Sequence, residues 1–312
     1  MKKTVTVSIP VYNGERFILE ALQSVVDQTL KVDQIIICDN LSSDNTIELV
    51  NQFVNKHKDW NIKLNINKEN IGFQNNFIKC YDLAKTDYLV ILHVDDLLKP
   101  YTIERQLEFF KEHPEFAAVG GNVDTINSKG NLVVKNDISN NLLFRKGEIY
   151  EFISATASYI PFSTVMYNLN LSRDVAYLTE DSVGPEELYW PLLLQKHPIA
   201  LLGESLIDNR SYGGQMHISN SSTMFDKYIK HYSDKINKSD LERSPDRVLK
   251  TKKIIEQQVS RMSIKIGQEI FLHNKDFKMA LKYYIYGIKM NESVIFTKFF
   301  LKSLLKATGL YK

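Results

Sequence analysis

The chain has 312 residues, of which 44% are hydrophobic and 24% charged, so it has room for a sizeable core and is too apolar for a disordered chain. Its 39 basic and 37 acidic residues leave a formal net charge of +2, which gives no bulk electrostatic reason to expect a nucleic-acid partner. Two cysteines exclude a disulfide framework, and no stretch approaches the roughly 18 consecutive apolar residues that a membrane-spanning helix needs.

The first third of the chain alternates between strand and helix patterns. Apolar residues alternate over residues 4–11 and then recur at helical spacing over 17–26. The alternation continues, with strands at 34–38, 62–66 and 88–92 and helices at about 45–57 and 73–84. Asp44 or Asn45 can cap the second helix. Repeated strand-helix units predict an α/β fold with a mostly parallel central sheet flanked by helices.

The pattern changes in the rest of the chain. A helix through Phe110, a strand at 117–123 and a turn at 127–130 come next, whereas 145–210 mixes short apolar pieces with Gly and Pro and suits substrate-facing loops. From Glu242 onward, 15 Lys and Arg stand against 6 Asp and Glu. This basic tail has two apolar helical faces, consisting of Ile255, Val259, Met262, Ile266 and Ile270 and of Phe277, Ala280, Leu281, Tyr284 and Ile288. We therefore predict a C-terminal helical appendage.

Three of the predicted strands end in polar, turn-rich loops, at residues 10–15, 38–44 and 93–96. In an open parallel sheet, ligands bind outside the carboxyl ends of the strands. Neither a Gly-x-Gly-x-x-Gly string nor a Gly-Lys-Ser/Thr string follows any of them, so phosphate has to be neutralised in another way. Asp95 and Asp96 are the hard oxygen ligands that magnesium or manganese prefers, which predicts a metal-bridged nucleotide diphosphate.

The same loops offer groups for a nucleotide base. Tyr12 presents a flat ring, and Asp39 can accept a hydrogen bond from a base N–H. Each residue also has a structural reading: Asp39 and Asn40 as turn formers, Tyr12 as core, and Asp95-Asp96 as a helix cap. The coincidence of three such strand ends favours the functional reading.

Four motifs in this order resemble glycosyltransferase family 2, the bacterial inverting sugar transferases of GT-A fold. They are residues 7–13 (VSIPVYN), 39–46 (DNLSSDNT), 70–72 (NIG) and 93–96 (HVDD) with Pro100. The resemblance is close over about residues 4–125, weaker to about Arg210, and does not reach the tail. It implies a glycosyltransferase domain at 1–225, with a nucleotide-sugar-binding half at 1–125 and an acceptor-binding half at 126–225. The charge and helical pattern of the tail predict a separate basic helical region at 226–312.

The resemblance also implies roles for individual residues. The segment from Pro10 to Glu15 and Asp39 would hold the base and ribose of a UDP-sugar, and Asp95, with His93, a divalent metal. A carboxylate would act as base toward the acceptor hydroxyl, with Glu186 first, Glu187 second and Asp181 third. The full donor-binding set is Pro10, Tyr12, Asn13, Glu15, Asp39, Asn40, Asn70, Gly72, Asn76, His93, Val94, Asp95, Asp96 and Arg210. Arg210 would close over the diphosphate, or else pair with Asp208.

The chain departs from the family pattern at three places. His93 stands where the family usually has the first Asp of its Asp-x-Asp motif, and Asn40 replaces a frequent second Asp. Both changes remove negative charge. An imidazole at position 93 would shift metal preference toward manganese, or else His93 is a structural residue that packs in the core. The third departure is Glu186-Glu187 in place of Glu-Asp.

The resemblance implies transfer of a sugar, with inversion, from a nucleotide diphosphate to a hydroxyl of a saccharide or lipid-linked glycan. A cytoplasmic enzyme of bacterial surface-polysaccharide synthesis is expected, with peripheral membrane attachment through the basic C-terminal helices as an open alternative. The competing readings are a nucleotidyltransferase, a catalytically inert nucleotide-sugar-binding module, and a scaffold acting through the tail.

Overall fold

In the computed structural model, the alternating apolar residues of the first third form parallel strands joined by helices, as predicted. The structure describes residues 3–136, 140–148, 152, 162–173, 175, 190 and 193–211, and ten positions between 253 and 289. The elements in chain order begin with β1 (Val5–Val11), α1 (Ile18–Val26), β2 (Gln34–Asp39), α2 (Thr46–Lys56), β3 (Ile62–Ile66), α3 (Gly72–Leu83) and β4 (Tyr88–Ile91).

The second half of the described sheet is built from shorter and less regular pieces. Its elements are β5 (Leu97–Leu98), α4 (Thr102–Glu112), β6 (Ala118–Ile126), β7 (Leu132–Val134), β8 (Leu142–Phe144), a 3₁₀ turn (Phe162–Thr164), β9 (Met166–Asn168), α5 (Leu169–Ser172) and β10 (Ile199–Arg210). β10 lies in the stretch that the sequence predicted as loops. It is twelve residues long and pairs with β6, so this stretch contributes to the sheet.

The described strands form one sheet in the order β3-β2-β1-β4-β9-β6-β10-β5, with β7 added to β6 and β8 to β10. The strands from β3 to β4 are parallel, while β9 runs antiparallel between β4 and β6. In this register Pro10 lies beside Cys38 and Val11 beside Asp39. The carboxyl ends of β1 and β2 therefore open side by side.

The helices cover the sheet because each has one apolar face. α1 buries Ile18, Ala21, Leu22 and Val25, spaced three or four residues apart, against the buried residues of β1 and β2. At the start of α2, the Asp44 Oδ1 accepts a hydrogen bond from the backbone N–H of Thr46 at 3.0 Å. Of the two predicted caps, Asn45 occupies the cap position without a side-chain hydrogen bond to the helix, and Asp44 supplies that bond.

The chain divides into two compact units. The first consists of Met1–Ile149, Tyr159–Asp181 and Pro185–Ser211, and the second of the remaining residues. The boundary predicted at residue 225 lies outside the described residues and stays a prediction.

All ten described positions in the basic tail are helical, in agreement with the predicted helices. Tyr284 and Ile288 pack on Ile264, and the Ser260 Oγ donates to the Gly287 carbonyl at 2.6 Å. A Cβ atom at Gly287 would lie 2.8 Å from the Ser260 carbonyl oxygen, so the two segments approach closely at this glycine. Within the described part of the chain, no helix has both the length and the apolar character to cross a bilayer.

Candidate active site

The loops after β1 and β2 are joined by hydrogen bonds from both sides. The backbone N–H groups of Asn13, Gly14 and Glu15 donate to the side chains of Ser42, Thr46 and Asp44, at 2.8 to 3.0 Å. In return, the Asn13 Oδ1 accepts from the Ser43 N–H at 2.8 Å, and the Glu15 Oε2 from the Asn45 N–H at 3.0 Å. Asn13 and Glu15 therefore hold the two loops in one shape.

Asp39 lies between these loops at the end of β2 and is fully buried. Its Oδ1 accepts a hydrogen bond from the Ser42 N–H at 2.9 Å, whereas its Oδ2 has no hydrogen-bond partner among the described residues. A buried carboxylate oxygen without a partner is costly. Such an atom at a strand end is therefore a strong candidate for contact with a ligand N–H. Tyr12, on the neighbouring loop, is 50% exposed.

A cluster of asparagines fixes the loop after β3. The Asn40 Nδ2 donates to the Asn70 Oδ1 at 2.8 Å, and the Asn67 Nδ2 donates to the Asn40 and Asn76 Oδ1 atoms at 3.0 and 2.9 Å. The Asn76 Nδ2 in turn donates to the Cys38 carbonyl. Asn40 and Asn76 are almost fully buried, so they position the loop rather than offer an open contact to a donor.

The loop after β4 brings three potential metal ligands together. One ligand atom each from His93, Asp95 and Asp96 lies within 4.8 Å of the others. Imidazole and carboxylate groups at this separation fit a divalent cation such as Mn²⁺ or Mg²⁺. His93 and Asp95 are half-buried, and Val94 packs against the core beneath them.

Asp96 differs from its neighbours because it is buried and already hydrogen-bonded. Its Oδ2 accepts from the Ser163 Oγ at 2.7 Å, and its Oδ1 from the Asn209 Nδ2 at 2.9 Å and the Arg210 N–H at 3.0 Å. The Ser163 Oγ also accepts the backbone N–H of His93 at 3.1 Å. Asp96 therefore anchors the loop, while Asp95 and His93 are better placed to meet a ligand.

Burial, together with the nearby Asp95 carboxylate, raises the pKa of Asp96 to about 6. Because the folded pKa exceeds the usual value of 3.8, folding favours the protonated form, and stability is lost as pH rises through this window. Asp96→Asn removes this titration. In EDTA, we therefore expect the free energy of unfolding of the wild type, relative to that of Asp96→Asn, to fall by about 2 kcal/mol between pH 4 and pH 7.

Asp124→Asn is the control, because the pH dependence that Asp124 gives to stability has the opposite sign. Burial opposes the charge on Asp124, but the Asn136 N–H and Lys99 outweigh it and lower the pKa. Its stabilising contribution is therefore lost as pH falls. A free-energy difference between Asp96→Asn and the wild type that stayed flat over pH 4 to 7 would contradict the prediction for Asp96.

Arg210 is buried beside the Asp95 loop, and its expected contact with a diphosphate stays a prediction. Its side chain is 0% exposed, and its guanidinium donates to the Asp95 carbonyl at 2.9 Å and to Glu20 Oε2 at 2.7 Å. It also lies 4.5 Å from the ring of Phe17. The alternative partner, Asp208, instead pairs with Lys99 at 2.6 Å. Because its guanidinium is hydrogen-bonded to the Asp95 carbonyl and to Glu20, Arg210 supports the Asp95 loop.

We expect Arg210→Met to lower the free energy of unfolding by about 2 kcal/mol, because buried carbonyl groups lose their donors. Urea denaturation measures this loss. The control Arg105→Met removes an arginine whose side chain is 47% exposed, and should leave the free energy of unfolding nearly unchanged. If Arg210→Met keeps its stability but binds UDP more weakly, Arg210 contacts the diphosphate.

The predicted site residues are thus partly assembled. The strand-end residues of β1, β2 and β4 and the Asn70–Gly72 loop lie along one edge of the sheet, and Pro10 is buried at the end of β1 beside Cys38. Glu186, Glu187 and Asp181 lie outside the described residues, so their roles stay predictions. Sequence reasoning missed Ser163, Asn209 and Glu20, which come from distant parts of the chain and match no motif used above.

Comparison with known proteins finds relatives that are named as glycosyltransferases. A relative from Bacillus subtilis, the putative glycosyltransferase EpsE, is 33% identical over 116 residues, or 37% of this chain and 41% of EpsE. An uncharacterised glycosyltransferase of Haemophilus influenzae is 24% identical over 68% of this chain and 66% of its own length. The chain therefore spans less than two thirds of the length of these relatives.

Among solved structures, S. aureus TarS 1-349 in complex with UDP-GlcNAc matches with a TM-score of 0.59 and 16% identity, covering 90% of both chains. At this identity the likeness shows the fold, which is the GT-A glycosyltransferase fold. The family model for glycosyl transferase family 2 matches residues 6–173, more than half of the chain. The chain belongs to glycosyl transferase family 2.

Proposed function

We propose that this protein is an inverting glycosyltransferase that moves a sugar from a nucleotide diphosphate, expected to be a UDP-sugar, to a hydroxyl group. The observation that carries the proposal is the pairing of two features at one sheet edge. One is the partnerless buried Oδ2 of Asp39, and the other is the His93, Asp95 and Asp96 cluster. Together they match a donor with a base at one end and a diphosphate at the other.

The base end of this proposal depends on hydrogen-bond chemistry. Uracil has one ring N–H donor, and the Asp39 Oδ2 is an acceptor with no described partner. Tyr12 is exposed beside it and offers a ring on which a base can stack. The UDP-GlcNAc complex of the structurally similar TarS supports a uridine nucleotide as the first ligand to test.

The diphosphate end requires positive charge. Acidic side chains repel phosphate unless a cation stands between them, and Asp95 with His93 would hold a divalent ion. Such an ion would supply charge stabilisation to the departing diphosphate. The buried Asp96, held by Ser163 and Asn209, keeps this loop in position.

The reaction is a single displacement at the anomeric carbon. The acceptor oxygen forms a bond to that carbon as the bond to the diphosphate oxygen breaks, and the configuration inverts. The proton of the acceptor hydroxyl passes to a carboxylate base, for which Glu186, Glu187 and Asp181 stay the candidates. A positioned base accelerates such a step by about 10²- to 10⁴-fold.

The acceptor and setting are also proposed. A relative named poly(ribitol-phosphate) beta-glucosyltransferase, from Bacillus spizizenii, is 33% identical over 130 residues, or 40% of this chain and 20% of its own length. This supports a saccharide or lipid-linked glycan acceptor in bacterial surface-polysaccharide synthesis. A cytoplasmic location, and membrane attachment through the basic tail, remain proposals.

A donor screen tests the function. The protein is mixed with uridine, guanosine and thymidine diphosphate sugars, with and without Mn²⁺, and thermal shifts and free nucleotide are measured. Stabilisation by uridine compounds in Mn²⁺, with release of UDP, is expected. With pyrophosphate added, its consumption to give a nucleoside triphosphate and a sugar 1-phosphate would indicate a nucleotidyltransferase instead. Saturable binding without hydrolysis or transfer would indicate an inert binding module.

A further inference from the structure

Only two aromatic side chains among the large hydrophobic residues of the described chain are exposed, and both follow strands at the candidate site. Tyr12, at the end of β1, is 50% exposed, and Phe73, in the first turn of α3, is 38% exposed. Single exposed apolar residues are common on protein surfaces. The position of Phe73 is specific, however, because its ring lies between the Asp39 region and the candidate metal ligand His93.

On one side, Phe73 is tied to the Asp39 region. It follows Gly72, whose φ of +80° is a left-handed conformation that favours glycine and turns the chain into α3. The Gly72 N–H donates to the Asn70 Oδ1 at 3.0 Å, and that oxygen also accepts from Asn40, the residue after Asp39. The asparagine cluster therefore fixes where α3 begins relative to Asp39.

On the other side, Phe73 contacts the candidate metal ligands. Its ring centroid lies 6.1 Å from that of His93, at an interplanar angle of 75°. Phe77, one helical turn later, lies 6.1 Å from Phe73 and 6.3 Å from His93, and itself packs on Phe162 at 4.8 Å. The buried Phe77 supports the pair from below, so the partly exposed face of Phe73 is held in place.

From this placement we infer that Phe73 is a donor-contact residue that covers the nucleoside part of the nucleotide sugar. The inference rests on the proposed function, which puts the base at Asp39 and the diphosphate at His93 and Asp95. Phe73 is linked to both points, and a ribose with its base must lie between them. A flat apolar ring suits the carbon face of a ribose or the face of a base, which Tyr12 would meet from the neighbouring loop.

Isothermal titration of the full chain with UDP and with UMP, in Mn²⁺, tests the inference. We expect Phe73→Ala to weaken both ligands by the same factor, about tenfold, in the range of aromatic stacking on a base. Phe73→Tyr keeps the ring and should bind as the wild type does. Leu30→Ala is the matched control, because Leu30 is 39% exposed and lies before β2, at the opposite end of the strands, and it should leave both affinities unchanged.

The outcomes separate this inference from the proposed function. A wild type that binds neither ligand overturns the proposed function itself. If the wild type binds but Phe73→Ala binds both ligands equally well, Phe73 is not a donor contact. Weakening of UDP alone would mean that Phe73 acts through His93 and the diphosphate, and would overturn the nucleoside contact. Because Phe73 also packs on His93 and Phe77, the melting temperature of each variant is measured, and affinities are compared well below the lowest of them.

Discussion

Asp95→Ala should lower turnover at least about a thousandfold. The carboxylate is the best-placed acidic ligand of the His93, Asp95 and Asp96 cluster, because Asp96 is buried and held by three hydrogen bonds. Charge stabilisation by a bound divalent ion accounts for several kcal/mol of a reaction barrier, and each 1.4 kcal/mol is tenfold in rate. UDP release from the donor that the screen identifies, in saturating Mn²⁺, measures the loss.

The fold should survive this substitution. The hydrogen bond that Arg210 donates to residue 95 goes to the backbone carbonyl, which alanine keeps. Asp59→Ala is the control, since the side chain of Asp59 is 76% exposed and lies outside the site. Wild-type turnover by Asp95→Ala would rule out metal binding at this carboxylate, and with it the account of the diphosphate end.

The first third of the fold was predictable because its signals are local. The apolar residues of β1 alternate and those of α1 recur at helical spacing, and the observed bounds differ from the predicted ones by at most one residue. β10 was missed for a physical reason. Its register to β6 shifts between Leu202 and Ser205 and again between Ser205 and Ile207, and such irregularities break the two-residue alternation that marks a strand.

In the candidate site, too, only the positions of residues with local sequence signals were predictable. Asp39 ends β2 and Asp95 lies four residues after β4, so sequence position alone placed them at the carboxyl edge of the sheet. The burial of Arg210 was not predictable, because its sequence neighbours suggest an open loop, whereas it ends β10 with a buried side chain. Ser163 makes its contacts across about seventy residues of sequence, and no local pattern reports them.

Asp39→Asn should weaken UDP binding by about a hundredfold without lowering stability. Asparagine keeps an oxygen to accept the Ser42 N–H but replaces the partnerless Oδ2 with an NH₂ donor. Two donors then face each other where uracil presents its ring N–H, and a charge-assisted hydrogen bond worth about 1.5–3 kcal/mol is lost. The free protein loses only a buried charge that lacked a full set of partners, so its free energy of unfolding should hold or rise.

We expect Asp87→Asn to have the reverse effects on stability and on UDP binding. Asp87 accepts hydrogen bonds from the Thr4 N–H and hydroxyl at the amino end of the sheet, and these lower its pKa despite partial burial. Its variant should lose stability and keep UDP affinity. Base identity gives the sharpest readout, because cytosine has an acceptor where uracil has the N–H. Titration with UDP and CDP should show that Asp39→Asn shifts preference toward CDP, and an unchanged ratio would mean that Asp39 does not contact the base.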